Sequence, residues 1–191
     1  NLGASGFSST EGHRAIPAWE LLGRDLHART DVFITTLFER PYLRKPPGMP
    51  WAIALSSAVF GQTEFAARAV SAAAATLATL TMLAFGRRWF GPVGGFAAGL
   101  AQALTPRWWA PGRSAEIEML NNFGTLLALA ALADLLVLRH RHHARSSLFA
   151  AGLAAMGIVV AGLAKGPASL PVLLGLFAGA FLISRSPRSL L

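Results

Sequence analysis

Cysteine is absent from the chain. That excludes a disulfide framework, a thiolate zinc site and a cysteine nucleophile. Charge is scarce as well: only 14% of the 191 residues are Asp, Glu, Lys or Arg, against about 25% in an average soluble domain. Acids are the scarcer sign, nine against seventeen Lys and Arg, for a formal charge of +8. Carboxylate chemistry therefore has few places to reside. Basic excess beside apolar runs is an orientation signal and a lipid-headgroup contact, so nucleic acid is not indicated as a partner. With 53% hydrophobic residues, the composition predicts an all-α, polytopic integral membrane protein.

Against that apolar background, residues 41–50 stand out, reading Pro-Tyr-Leu-Arg-Lys-Pro-Pro-Gly-Met-Pro. Proline fixes φ and removes backbone donors, so the stretch is expected to be neither helix nor central strand. A stiff, extended backbone holds cationic side chains in place at little entropic cost. Tyr42, Arg44 and Lys45 are thus a candidate anion site, and equally an ordinary connector before a membrane helix.

Residues 1–64 are predicted to form an external loop with interfacial helices, and residues 65–191 a transmembrane bundle. Ser9-Thr10-Glu11 opens a candidate helix running to Leu26, broken or started by Pro17, with Ala15, Trp19, Leu22 and Leu26 on one face. Residues 50–60 are apolar but too short for a hydrocarbon core that needs about twenty residues. A second surface-lying or re-entrant helix is expected there. Five candidate spans follow: 65–86, 92–104 with an extension to Trp109, 119–138, 147–163 and 168–184. Gly95-Phe-Ala-Ala-Gly99 is a small-residue pattern for close helix packing. No internal repeat is evident.

Short loops alternate in charge. Arg87-Arg88, the run Arg139-His-Arg-His-His-Ala-Arg145, and Arg185 with Arg188 follow the first, third and fifth spans. The positive-inside rule puts them in the cytoplasm. The opposite face then receives Glu11, Lys45, Glu116, Glu118 and Lys165 from separate stretches. Such lysines can neutralise a phosphate while a carboxylate takes a proton as general base; each can also be a solvated loop charge. On a continuous helix Glu116 and Glu118 would point about 200° apart, so only one should face a site. Carboxylates at a helix start are also favoured by its dipole. Asp134, inside the third span, is expected to reach headgroups or a neighbouring cation. His140, His142 and His143 lack a companion carboxylate and read as a basic, headgroup-facing loop.

Together these motifs resemble the amino-terminal membrane part of the glycosyltransferases that use polyprenyl-phosphate sugars, the GT-C superfamily. The branch with protein O-mannosyltransferases and the lipid A aminoarabinose transferase is nearest. That branch carries Asp-Glu in its first external loop, then Tyr-x-x-Lys-Pro-Pro with a Trp soon after, Phe-Gly, and a span opening with Ala-Arg. The counterparts here are Thr10-Glu11, Tyr42-Leu-Arg-Lys45-Pro46-Pro47 with Trp51, Phe60-Gly61 and Ala67-Arg68. An Arg with an acid five residues on is matched by Arg113 and Glu118, and a later Lys-Gly-Pro by Lys165-Gly166-Pro167.

The resemblance implies transfer of a sugar from a polyprenyl phosphate to a hydroxyl acceptor, with inversion, on the non-cytoplasmic side of a bacterial inner membrane. It implies that Lys45 and Lys165 hold the lipid phosphate, with Tyr42 and Arg113 in the binding site. Glu11 would contribute the acceptor-activating acid, with Glu118 assisting. The acceptor would be a lipid, glycan or protein, and membrane lipids the surroundings. Position 10 carries Thr where the family has its usual candidate base, Asp; Arg44 replaces an acid; Glu118 replaces an Asp. A divalent metal stays open as cofactor, but not one built on position 44. The family has further spans on both sides, so the chain is expected to be part of a longer protein. Two rivals remain: a non-catalytic relative that binds the lipid, favoured by Thr10, and a transporter or assembly subunit, which should show polar or broken spans near the midplane.

Overall fold

A computed structural model describes residues 2–8, 10–23, 32–137 and 144–185. The architecture is helical apart from one two-residue ladder. Helix α1 spans Gly12–Leu22, strands β1 Thr36–Leu37 and β2 Arg40–Pro41 pair antiparallel, and α2 spans Gly48–Phe60. Then come α3 Glu64–Leu104, α4 Pro106–Gly112, α5 Ile117–Val137, α6 Ala144–Lys165, a 3-10 turn Gly166–Ser169, and α7 Leu170–Arg185. The histidine loop and Arg188 lie outside the described residues.

The first two helices depart from expectation in detail. Pro17 neither breaks nor starts α1 but lies buried within it, and the helix gives way to a turn at Gly23. In the proline-rich stretch, Pro41 sits in an edge strand, while Gly48, Met49 and Pro50 already form the first turn of α2. A proline costs little there, because first-turn N–H groups have no intrahelical partner.

Helix α3 contains the first two predicted spans. Thr63 caps it, its hydroxyl accepting from the Ala66 N–H at 3.1 Å, and Glu64 occupies the favourable first turn. At Gly91 φ is 78°, a value that suits glycine, and Pro92 follows, so the helix doubles back. The two arms meet through the small residues: a Cβ on Gly86 would lie 3.0 Å from the Gly95 Cα, and one on Gly99 3.2 Å from Leu83. The close packing expected of Gly95 and Gly99 is thus a helical hairpin. The second arm does not run on to Trp109. Thr105 is extended, and Pro106 begins the separate α4.

Helices α5 and α6 pack closest. A Cβ on Gly124 would lie 2.5 Å from the Ala161 nitrogen, and one on Gly157 2.5 Å from the Ala128 nitrogen. At the far end Asp134, 1% exposed, accepts from Trp89 Nε1 at 3.2 Å and pairs with Arg88 Nε at 2.9 Å. The α3 hairpin thus supplies a cation to it. Two stretches are long and apolar enough to cross a membrane, Glu64–Leu104 and Ser147–Gly179, and exposed large apolar side chains such as Leu80, Val93, Phe96, Phe149 and Val159 lie along them. At the other end Ala15, Ala18, Met49 and Ile53 of α1 and α2 bury against Ala67, Ala115 and Ile117, fixing α1 and α2 on the bundle.

Candidate active site

The site is built where the first loop meets the starts of α3 and α5. Arg68 lies one turn into α3, 5% exposed, and Glu11 just before α1, 2% exposed. A buried guanidinium must find acceptors for its donors. Arg68 Nε and Nη2 each reach a Glu11 carboxylate oxygen at 2.9 Å, and Nη1 and Nη2 donate to the carbonyls of Leu2, Ser5 and Gly6 at 2.7–2.9 Å. Glu11 accepts in addition from the Ser8 amide at 2.8 Å, the Ser8 hydroxyl at 3.2 Å and the Ala115 amide at 2.7 Å. The Arg68 hydrogen bond, the backbone donors and the Arg68 charge together outweigh burial and lower the Glu11 pKa from its ordinary 4.5 to about 2. The pair ties the amino-terminal loop, α3 and the α4–α5 connection into one wall.

Residue 116 precedes α5, so the helical geometry that would turn Glu116 away from Glu118 does not apply, and both carboxylates line the same cavity. Thr10 donates its hydroxyl to Glu116 Oε1. Glu116 Oε2 lies 3.8 Å from Arg14 Nε, and Arg14 Nη1 donates to the Tyr42 hydroxyl at 3.1 Å. The first turn of α5 presents Glu118, whose Oε1 is 3.3 Å from Lys165 Nζ at the end of α6. One turn deeper, Ser169 of the 3-10 turn donates to Asn121 Oδ1 at 2.8 Å and accepts from Thr125 at 2.7 Å.

The proline-rich loop approaches the same corner from outside. A Cβ on Gly48 would come within 2.6 Å of the Leu163 carbonyl, and Gly166, at φ 67°, lies against Pro46. Lys45 and Lys165 each adjoin a residue of that contact in sequence. Lys45 and Arg44 are exposed.

A cavity of about 520 Å³ opens here, lined by Glu11, Arg68, Arg113, Ser114, Glu116 and Glu118 among others. Of the six sequence-predicted site residues, Glu11, Glu118 and Arg113 line it. Lys165 reaches it through Glu118 and Tyr42 through Arg14, while Lys45 lies on the adjoining loop. Sequence reasoning did not put Arg68, Arg14 or the Thr10 hydroxyl to work. For Arg68 the signal was present, a lone cation inside an apolar span that must be paired. For Arg14 there was none, since it stands among other basic residues of an amphipathic helix. Among the described residues no group of three His, Asp or Glu side chains is set to hold a metal ion.

The helical scaffold with a polar cavity at one end of its bundle fits a membrane glycosyltransferase of the GT-C superfamily, and the comparisons supply the assignment. Two crystal structures of ArnT from Cupriavidus metallidurans superpose on the chain, one in the apo state and one bound to undecaprenyl phosphate. Their TM-scores are 0.82 and 0.83 at 22% and 21% identity, over 95% and 96% of this chain and 32% of that one. The chain thus spans about a third of the ArnT length. Residues 44–190 match the family model of the dolichyl-phosphate-mannose-protein mannosyltransferases, and the chain belongs to that family. No curated protein matches it.

Proposed function

We propose that the full-length protein moves a sugar from a polyprenyl phosphate to a hydroxyl of a lipid, glycan or protein acceptor, with inversion, at the non-cytoplasmic face of a bacterial inner membrane. The observation that carries this reading is the cavity that gathers Arg113, Glu116, Glu118 and the Lys165 ion pair at one end of a GT-C scaffold. Five spans cross the membrane in it, the α3 hairpin supplying two, with residues 1–64 as the external cap over the bundle of residues 65–191. Lys45 and Lys165 take the lipid phosphate, and Tyr42 and Arg113 shape its approach. A carboxylate accepts the acceptor proton as the oxygen attacks the anomeric carbon, and the cations stabilise the charge that develops on the departing phosphate. Glu11, ionised down to about pH 2, is a weak base near neutrality. Its part is to hold the cavity wall in place, with Glu118 and its neighbours facing the substrates.

The test is transfer of radiolabelled sugar from membrane polyprenyl-phosphate donors by the full-length protein in liposomes, with Lys165→Ala alongside. Transfer that the variant sharply reduces supports the reading. Binding of polyprenyl phosphate without transfer would favour the second reading, a non-catalytic lipid-binding relative, whose specific support is Thr10 and the fully engaged Glu11.

A further inference from the structure

Three carboxylates line the cavity, and their surroundings separate their uses. Glu11 has every oxygen engaged by Arg68, Ser8 and Ala115 and is buried. Glu118 is matched to a full positive charge, Lys165. Glu116 differs from both. Its Oε1 takes the Thr10 hydroxyl, while Oε2 has only Arg14 Nε, at 3.8 Å, beyond hydrogen-bond length. That Nε is itself buried, on a side chain 7% exposed, and has no hydrogen-bond partner among the described residues. A buried donor and a carboxylate oxygen therefore lie 3.8 Å apart without closing a bond, and Glu116, which carries that oxygen, lines a cavity large enough for a sugar ring.

We propose that Glu116 is the base that takes the proton of the acceptor hydroxyl, through Oε2, with Thr10 as its positioning residue. This rests on the transferase reading above and names the proton acceptor within it. Glu116 is held for that task. Its carbonyl accepts from the Ser71 hydroxyl at 3.2 Å, and the preceding Ala115 amide is fixed on Glu11. The backbone is pinned on both sides of the cavity edge, and the Thr10 bond sets the carboxylate plane. Such preorganisation is what proton transfer at a fixed position requires. The choice of residue at position 10 follows from the same contact. Two carboxylates at hydrogen-bond distance cannot both stay ionised near neutral pH. A hydroxyl donates to Glu116 without setting a second negative charge beside it. Thr10 and Glu116 thus divide between them what an acid at position 10 would do alone, with the negative charge on the far side of the bond.

The step balances. The acceptor O–H proton passes to Glu116 Oε2. The acceptor oxygen forms the new bond to the anomeric carbon as the bond from that carbon to the phosphate oxygen breaks. The electron pair leaves with the polyprenyl phosphate, whose added negative charge falls beside the lysines. Glu116 then returns its proton to solvent through the open cavity.

The experiment compares the full-length protein, Glu116→Gln, and the double variant Thr10→Asp with Glu116→Gln, which moves the carboxylate across the bond. Transfer rate and polyprenyl-phosphate affinity are read on each in liposomes. Glu116→Gln is expected to lower transfer by about 100-fold or more, the usual worth of a general base, with lipid affinity unchanged. The double variant is expected to recover at least about tenfold of that loss. Transfer by Glu116→Gln within about threefold of the unsubstituted protein overturns the proposal and leaves the transferase reading standing. Loss of transfer and lipid affinity together, without recovery in the double variant, shows a structural role and also overturns it. Absence of transfer by the unsubstituted protein removes both readings.

Discussion

Glu11 and Arg68 form a bidentate ion pair, both N···O distances 2.9 Å, between the amino-terminal loop and the start of α3. Each remaining guanidinium proton meets a loop carbonyl, so the pair is buried without leaving charge unmatched. Removing one partner strands the other. Arg68→Ala is expected to destabilise the protein by about 3–5 kcal/mol, read as a lower unfolding midpoint in detergent. Unchanged unfolding would mean the loop is held by something else.

The same pair sets an acid limit. The Glu11 pKa is lower in the fold than its ordinary 4.5, so folding favours the ionised form. Its contribution is complete above about pH 4.5 and is lost as the pH falls toward 2. Unfolding midpoints across that window should fall more steeply in the native protein than in Glu11→Gln, which has no carboxyl to titrate. Parallel slopes would remove Glu11 as the source.

Much of this was legible in the sequence because a membrane makes few demands and makes them strongly. Apolar runs, glycine spacing and alternating loop charge led to the α3 hairpin and to the gathering of Glu11, Glu118 and Lys165 at one end. What failed was local. Counting Glu116 as helical put it a wrong turn away from Glu118, because the end of α4 and the turn and bend residues before Ile117 leave no mark in hydropathy. Asp134 does meet a neighbouring cation, Arg88, with Trp89 beside it, but which one depends on a hairpin whose fold-back at Gly91 one residue decides. The Glu11 pairing with Arg68 was open to inference too, since a cation inside the first span needs a carboxylate.

Close approach of α5 and α6 rests on Gly124 and Gly157. A methyl on Gly157 would meet the Ala128 nitrogen at 2.5 Å, against backbone that cannot swing aside. Gly157→Ala should therefore cost about 1–3 kcal/mol of overpacking strain, although alanine is the better helix former. A variant as stable as the parent in a detergent unfolding assay would refute the contact.

The polar ends of the bundle are separated by about one membrane. Arg68 and Arg88 lie on the same arm of α3, twenty residues or about 30 Å apart, close to the hydrocarbon thickness. Single cysteines at Thr105 and Ser147, introduced into a chain that has none, should be labelled from opposite sides by an impermeant maleimide. Labelling of both from one side would overturn the five-span topology.

The two lysines are open to separation by affinity. Lys165 is already paired with Glu118 at 3.3 Å, so taking a phosphate there means sharing or displacing that carboxylate. Lys45 is exposed on a loop stiffened by Pro46 and Pro47 and docked on the Gly166 corner. Its neighbour Pro46 thus touches the neighbour of Lys165, and Lys45 has no ion-pair partner among the described residues to compete. Lys45→Ala is expected to weaken polyprenyl-phosphate binding by the full-length protein about tenfold, or about 1.4 kcal/mol. Glu118→Gln, which releases Lys165, should tighten it. Both are read as lipid dissociation constants at fixed ionic strength, since exposed cations are screened by salt. An unchanged constant for Lys45→Ala takes Lys45 out of the phosphate site, and weaker binding by Glu118→Gln means that the carboxylate orients Lys165 instead of competing for it.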